Sequence, residues 1–218
     1  MHTEDTGHTG RDQRALLIAP FAVWMVLMAF LPGTASGYAA RSAIVAAIFL
    51  FLLHKNGYNA RAKELFGRST LIWGLTAGIA TAIVWIAPEA SEWYRTHLII
   101  GYREIPGTVP ESPYNPHVCG WALTLAKLAG SAFVIAPAEE FFYRKFLYNW
   151  AGADKKAFWI TVALFALEHD RFLVGAIAGI IYGYVAIRKN LKSAIMAHVT
   201  TNFALGVYVI TTGSWSFW

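Results

Sequence analysis

Long apolar blocks separated by short polar loops constrain the fold of this chain more than any other feature. The hydrocarbon core of a bilayer takes about 20 predominantly apolar residues per helix. In lipid every backbone N–H and C=O must be satisfied internally, so such blocks read as helices. They run over Ala15–Leu31, Ser42–Leu53 (beginning near Tyr38), Leu71–Ala87, a stretch from Gly120 into an acidic motif, Ala157–Leu167, Phe172–Ile187 and Ile195–Thr212. The expected fold is all-α: a polytopic transmembrane helical bundle of about seven or eight helices, forming one integral-membrane domain over residues 1–218. Composition agrees, since 56% of residues are hydrophobic and 14% charged, against about 25% charged in soluble domains.

The net charge of +5 would suggest nucleic acid in a soluble protein. Here the basic residues mark loops instead, so no nucleic-acid partner is expected. Arg11 and Arg14, then Lys55, Arg61, Lys63 and Arg68, then Lys145, Lys155 and Lys156, then Arg188, Lys189 and Lys192 all fall on one side of seven spans. Arg41, Arg95, Arg103 and Arg171 fall on the other. The positive-inside rule then puts the N-terminus in the cytoplasm. Ala15–Leu31 is longer than a secretory h-region and reads as a retained helix. The loop over 88–117 lies outside by this count, with a short interfacial helix expected at "SEWYRTHLIIGY". A single cysteine, Cys119, excludes an internal disulfide and a Cys metal cluster.

Ionisable residues inside spans are costly to keep there and are candidate functional sites. Three clusters qualify: "EEFFYR" with Glu139, Glu140 and Arg144; "FALEHD" with Phe165 and His169; and "HVTTN" with His198 and Asn202. Glu140 and Arg144 are four apart and share a helix face. Glu139 is turned from Glu140 by about 100°, so one carboxylate can be held by the arginine while the other points elsewhere. Phe165 and His169 share a face, as do His198 and Asn202. Pro137, just before the glutamates, removes a backbone donor and is expected to kink the helix.

A glutamate and a histidine meeting in a water-filled cavity can activate water, the glutamate as general base. An asparagine amide can donate to an oxyanion. Together these residue types suggest peptide-bond hydrolysis. There is no GxSxG and no HExxH, and the glycines at 175, 179 and 183 read as a helix-packing stripe.

The three motifs, in this order, resemble those of the CAAX-protease and bacteriocin-processing family, glutamic intramembrane proteases related to the Ras-converting enzyme. "EEFFYR" matches EExxxR, "FALEH" matches FxxxH and "HVTTN" matches HxxxN. The resemblance covers about 120–213, and the first three helices carry no motif. It implies that Glu139 activates water with His169, that Glu140 and Arg144 support it, and that His198 and Asn202 stabilise the oxyanion. Phe165 would line the substrate cavity. It implies no metal or other cofactor, a membrane-embedded or lipid-anchored protein substrate cut near its C-terminus, and a bacterial inner membrane location. The C-terminal part also resembles a subgroup associated with exosortase-type sorting systems. Glu168 and Asp170 beside His169 depart from common members.

Other readings of the same residues are a non-catalytic scaffold or bacteriocin-immunity protein, a metal-dependent protease, and a proton-coupled transporter. One geometric difficulty is visible in advance. With straight, full-length helices, Glu139 and His198 fall towards the cytoplasmic half and His169 near the outer end of a short fifth span, where they cannot meet.

Overall fold

The structure, a computed structural model, describes residues 6–57, 67–99 and 112–218. Arg61, Lys63 and Arg103, invoked above for loop charge, lie outside the described residues. Every regular element among the described residues is helical. The helices are α1 (Thr6–Phe30), α2 (Ala35–Lys55), α3 (Arg68–Ile86), α4 (Glu92–Leu98), α5 (Pro116–Cys119), α6 (Trp121–Trp150), α7 (Lys155–Leu167), α8 (Phe172–Arg188) and α9 (Leu191–Thr212). Each of the seven apolar blocks became a helix. The helix expected at the start of the 88–117 loop is α4, and its N-cap is Ser91, whose side chain accepts from the Tyr94 N–H.

Local chemistry sets the ends. Thr34, Asp154 and Asn190 cap α2, α7 and α9, each accepting a backbone N–H with its side chain. Gly213, at φ 70°, closes α9 in the left-handed conformation that glycine adopts without penalty.

Among the described residues, five helices are long and apolar enough to cross a bilayer: α1, α2, α3, α6 and α9. The other two apolar blocks form a short hairpin, α7 of 13 residues and α8 of 17. At 1.5 Å per residue α7 is about 20 Å long, well short of the hydrocarbon thickness. It therefore ends inside the bundle. That removes the difficulty over His169, which follows the end of α7 and reaches the ring of Phe165, itself against His198.

Glycine stripes bring the helices close. A Cβ on Gly175 would approach Ala166 and His169 at 3.3–3.4 Å, one on Gly179 would meet Phe165 at 3.3 Å, and one on Gly183 would meet Phe158 at 2.8 Å. The stripe on α8 thus packs on α7, as its spacing suggested. Gly74 and Gly78 do the same for α3 against Met196, Ala197 and Thr200 of α9, and the Thr201 hydroxyl donates to the Gly78 carbonyl at 3.0 Å. Gly130 of α6 abuts Tyr38 and Ser42 of α2. Outward-facing Leu50, Phe51, Ile79, Ile83, Phe133 and Trp159 are all more than half exposed, which suits a lipid-facing perimeter.

Candidate active site

Helix α6 is not uniform. Its middle segment Ala136–Glu140 is α-helical, and it is flanked by two π-helical segments, Gly130–Ile135 and Phe141–Leu147. Pro137 explains the first: it lacks an N–H and its ring crowds the carbonyl one turn back, so the turn before it widens. The expected distortion at Pro137 is therefore a widened turn. Glu139 and Glu140 project from the one regular turn between the two.

Glu140 is fully buried, Arg144 is 6% exposed and His198 is 3% exposed. The Glu140 Oε2 lies 3.4 Å from Arg144 Nε, the pairing expected from the four-residue spacing. The other oxygen, Oε1, accepts from His198 Nδ1 at 3.1 Å. Glu140 thus anchors both a cation on its own helix and a ring on α9. The same imidazole presents Nε2 to Glu139 Oε2 at 3.7 Å, longer than a hydrogen bond. A proton on Nδ1 leaves the Nε2 lone pair facing Glu139.

His169 lies in the turn between α7 and α8. Its Nδ1 donates to the Phe165 carbonyl at 2.8 Å, so its Nε2 also carries the lone pair. Phe165, with no exposed surface, stands between the two histidines: its centroid is 4.8 Å from the His169 ring and 5.6 Å from the His198 ring. Trp85 of α3 meets the far side of His169, edge to face at 5.4 Å. The Asn202 amide donates to the Ser131 carbonyl at 3.0 Å, tying α9 to the first π-helical segment of α6. The Ser131 carbonyl also accepts the Ala136 N–H of the π-helical turn, so it serves two donors.

The structure therefore brings Glu139, Glu140, Arg144 and His198 together directly, joins His169 to them through Phe165, and places Asn202 one turn along α9. The geometry differs from expectation on one point, since the imidazole that faces both glutamates is that of His198. Spacing within one helix cannot reveal a partner on another. Sequence reading also missed Tyr182, fully buried and stacked on the His198 ring at 4.6 Å. The only signal was an aromatic residue beside the glycine stripe of α8.

Two buried N–H-bearing atoms of Arg144, Nη1 and Nη2, have no hydrogen-bond partner in the protein. Arg144 also lines a cavity of about 200 Å³, with Tyr148, Thr161, Gly183 and Leu191 among its walls. The site is a carboxylate–histidine–arginine cluster buried in a polytopic helical membrane protein, which defines its class. Residues 121–204 match the family model described as "Type II CAAX prenyl endopeptidase Rce1-like", so this segment is similar to the CAAX-protease family. The match covers well under half of the 218 residues, but it takes in all three motifs. No curated protein and no solved structure matches the chain.

Proposed function

We propose that the chain is an intramembrane glutamic endopeptidase that hydrolyses a peptide bond near the C-terminus of a membrane-embedded or lipid-anchored protein, without a metal. The observation that carries this reading is His198 placed between Glu139 and Glu140, with Arg144 holding Glu140. Arg144 and His198 hold Glu140 in place, which leaves Glu139 as the carboxylate available to a water.

Glu139 Oε2 is buried and has no hydrogen-bond partner in the protein. A water donating to Glu139 and to the Nε2 lone pair of a histidine would point its own lone pair at a substrate carbonyl. As the water oxygen bonds to that carbon, Glu139 takes one proton. The carbonyl oxygen becomes an oxyanion, stabilised by the second N–H of Asn202. Collapse breaks the C–N bond, and the proton on Glu139 goes to the leaving amine. A positioned base contributes about 10²–10⁴ in rate, and one oxyanion donor about 10²–10³.

The location proposed is a bacterial inner membrane with a cytoplasmic N-terminus. A sorting-signal substrate of the exosortase-associated kind fits the resemblance of the C-terminal part. The test is cleavage of a membrane-anchored reporter bearing a candidate C-terminal signal in liposomes with a chelator. Wild type is expected to cut and Glu139→Gln to lose at least ~10²-fold. Cutting abolished by the chelator, or retained by the variant, would sink the proposal.

A further inference from the structure

The turn that carries His169 holds a second ionisable residue, which the water-activating scheme leaves unused. Glu168 immediately precedes His169 and sits at the C-cap of α7. Helix formation gives no reason for an acid there, since the carbonyl end of a helix repels an anion. The residue is half-buried, and its carboxylate accepts a hydrogen bond from the Tyr143 hydroxyl of α6. That partner is neutral, so the bond steers the carboxylate without cancelling its charge.

Tyr143 is itself held firmly. It is 2% exposed, and its ring meets Phe21 and Phe165 edge to face, each at 5.5 Å. It follows Glu139 by four positions on α6, close to the same face of that helix. Its hydroxyl therefore draws Glu168 towards Glu139, and the Glu168 charge acts on Glu139 more strongly than that of the adjacent Glu140. The other charged groups around Glu139 are committed, since Arg144 and His198 both engage Glu140. Tyr38 of α2 and Tyr182 of α8 also face it, as phenols that stay neutral at working pH. Glu168 is left as the facing group able to exchange a proton with Glu139. Burial pushes its carboxyl up to about 7, an effect that the Tyr143 bond only partly offsets.

The chemistry supplies a task for such a group. Hydrolysis splits one water between an acid and an amine. Glu139 takes the first water proton and gives it to the leaving nitrogen. The second stays on the new carboxyl group, which at neutral pH must lose it to become a carboxylate. A half-buried carboxylate can accept that proton, directly or through a water. It then releases the proton to bulk water and regains its charge, so the cycle closes without a further reactant. We propose that Glu168, aimed by the Tyr143 hydroxyl, is the proton-exchange partner of Glu139 and passes to bulk water the proton that the buried site sheds in each turnover. This rests on the peptidase reading above and deepens it.

The first experiment needs no cleavage. Dicyclohexylcarbodiimide modifies protonated carboxyl groups in apolar surroundings. Full-length protein in nanodiscs is treated with it across a pH series, and Glu139 and Glu168 are read by peptide mass spectrometry. Two like charges close together cannot both form easily, so the pair keeps its last proton to a higher pH than either member alone. Labelling in wild type is expected to persist to a pH about one unit or more above that in Glu139→Gln or in Glu168→Gln. The second experiment is reporter cleavage. Glu168→Ala is expected to lower kcat about tenfold or more with KM unchanged and helical content kept. Formate in the buffer should restore part of that loss, because a small acid stands in for the missing carboxyl. Tyr143→Phe, which keeps the ring and loses the hydroxyl, should reproduce part of the loss.

Labelling that ends at one pH in wild type and both glutamine variants would show two uncoupled carboxyls and overturn the proposal. So would wild-type kcat in Glu168→Ala, or a loss that formate leaves untouched, which would assign Glu168 to holding the turn. Coupled labelling in a protein that cleaves nothing would leave the carboxyl pair standing and count against the peptidase reading alone.

Discussion

His198 Nδ1 donates to Glu140 Oε1 at 3.1 Å, and this bond joins α9 to α6 at the point where four buried ionisable side chains converge. The bond assigns different work to the two neighbouring glutamates. Glu140 uses one oxygen for a hydrogen bond to His198 and the other for an ion pair with Arg144 at 3.4 Å, while Glu139 Oε2 faces only His198 Nε2, at 3.7 Å.

The two glutamine variants should therefore fail differently. Glu140→Gln strands the buried Arg144 cation, and removing one partner of a buried pair costs about 3–5 kcal/mol. Its thermal midpoint in detergent should fall clearly below wild type. Glu139→Gln removes a carboxylate that balances no cation directly, so its midpoint should match or exceed wild type while cleavage drops ~10²–10⁴-fold. Equal midpoints for the two variants would contradict the division of labour.

Phe165 spaces His169 from His198, and Gly179 makes room for it, since a Cβ there would meet Phe165 Cδ1 at 3.3 Å. Gly179→Leu should push the ring aside and reduce cleavage by an order of magnitude or more while most helical content remains. Overpacking of this kind costs about 1–3 kcal/mol. Gly33→Ala, where an added Cβ meets nothing within 4 Å, is the control and should be neutral. Circular dichroism and reporter cleavage on the pair separate packing from chemistry.

How much of this was readable beforehand follows from where each piece of information resides. Apolar block length is local, so the seven helices were visible, and Glu140–Arg144 followed from helical spacing alone. The glycine stripe on α8 also announced its packing role. The pairing of His198 with the glutamates was hidden because it joins residues 58 positions apart on different helices. The two π-helical segments depend on how α6 fits its neighbours, and Pro137 marked the place without disclosing the form. Block lengths suggested seven spans, but α7 and α8 form a short hairpin, and His169 follows the end of the 13-residue α7.

The contact between α3 and α9 is held by small residues and one shared hydroxyl. Thr201 Oγ1 is 3.0 Å from both the Gly78 and Ala197 carbonyls. Interhelical hydrogen bonds in membranes are worth about 0.6 kcal/mol on average, so Thr201→Val should lower the thermal midpoint slightly. Gly78→Val should do far more, because its Cβ would come within 2.5 Å of the Ala197 carbonyl oxygen and of Thr200 Cβ. A midpoint for Gly78→Val within a degree of wild type would show that α3 is not packed as described.

Arg171 follows the His169 turn and pairs with Glu89 through its Nε, while Nη2 donates to the Ser216 carbonyl at 2.8 Å. It also lies over the Phe217 ring at 4.8 Å. One side chain, 8% exposed, thereby ties together the turn after α3, the α7–α8 turn and the C-terminal residues. Arg171→Met should strand the Glu89 carboxylate and release the terminal segment. The expected result is faster removal of Trp218 and Phe217 by carboxypeptidase in detergent, with cleavage activity reduced because the turn carrying His169 loses its clamp. Arg171→Lys keeps the charge but not the fork that reaches both partners, so it should rescue the thermal midpoint more than the protease resistance. Terminal release at the wild-type rate in Arg171→Met would mean that the tail is held by its aromatic contacts alone, among them the Trp218–Tyr114 edge contact at 6.5 Å.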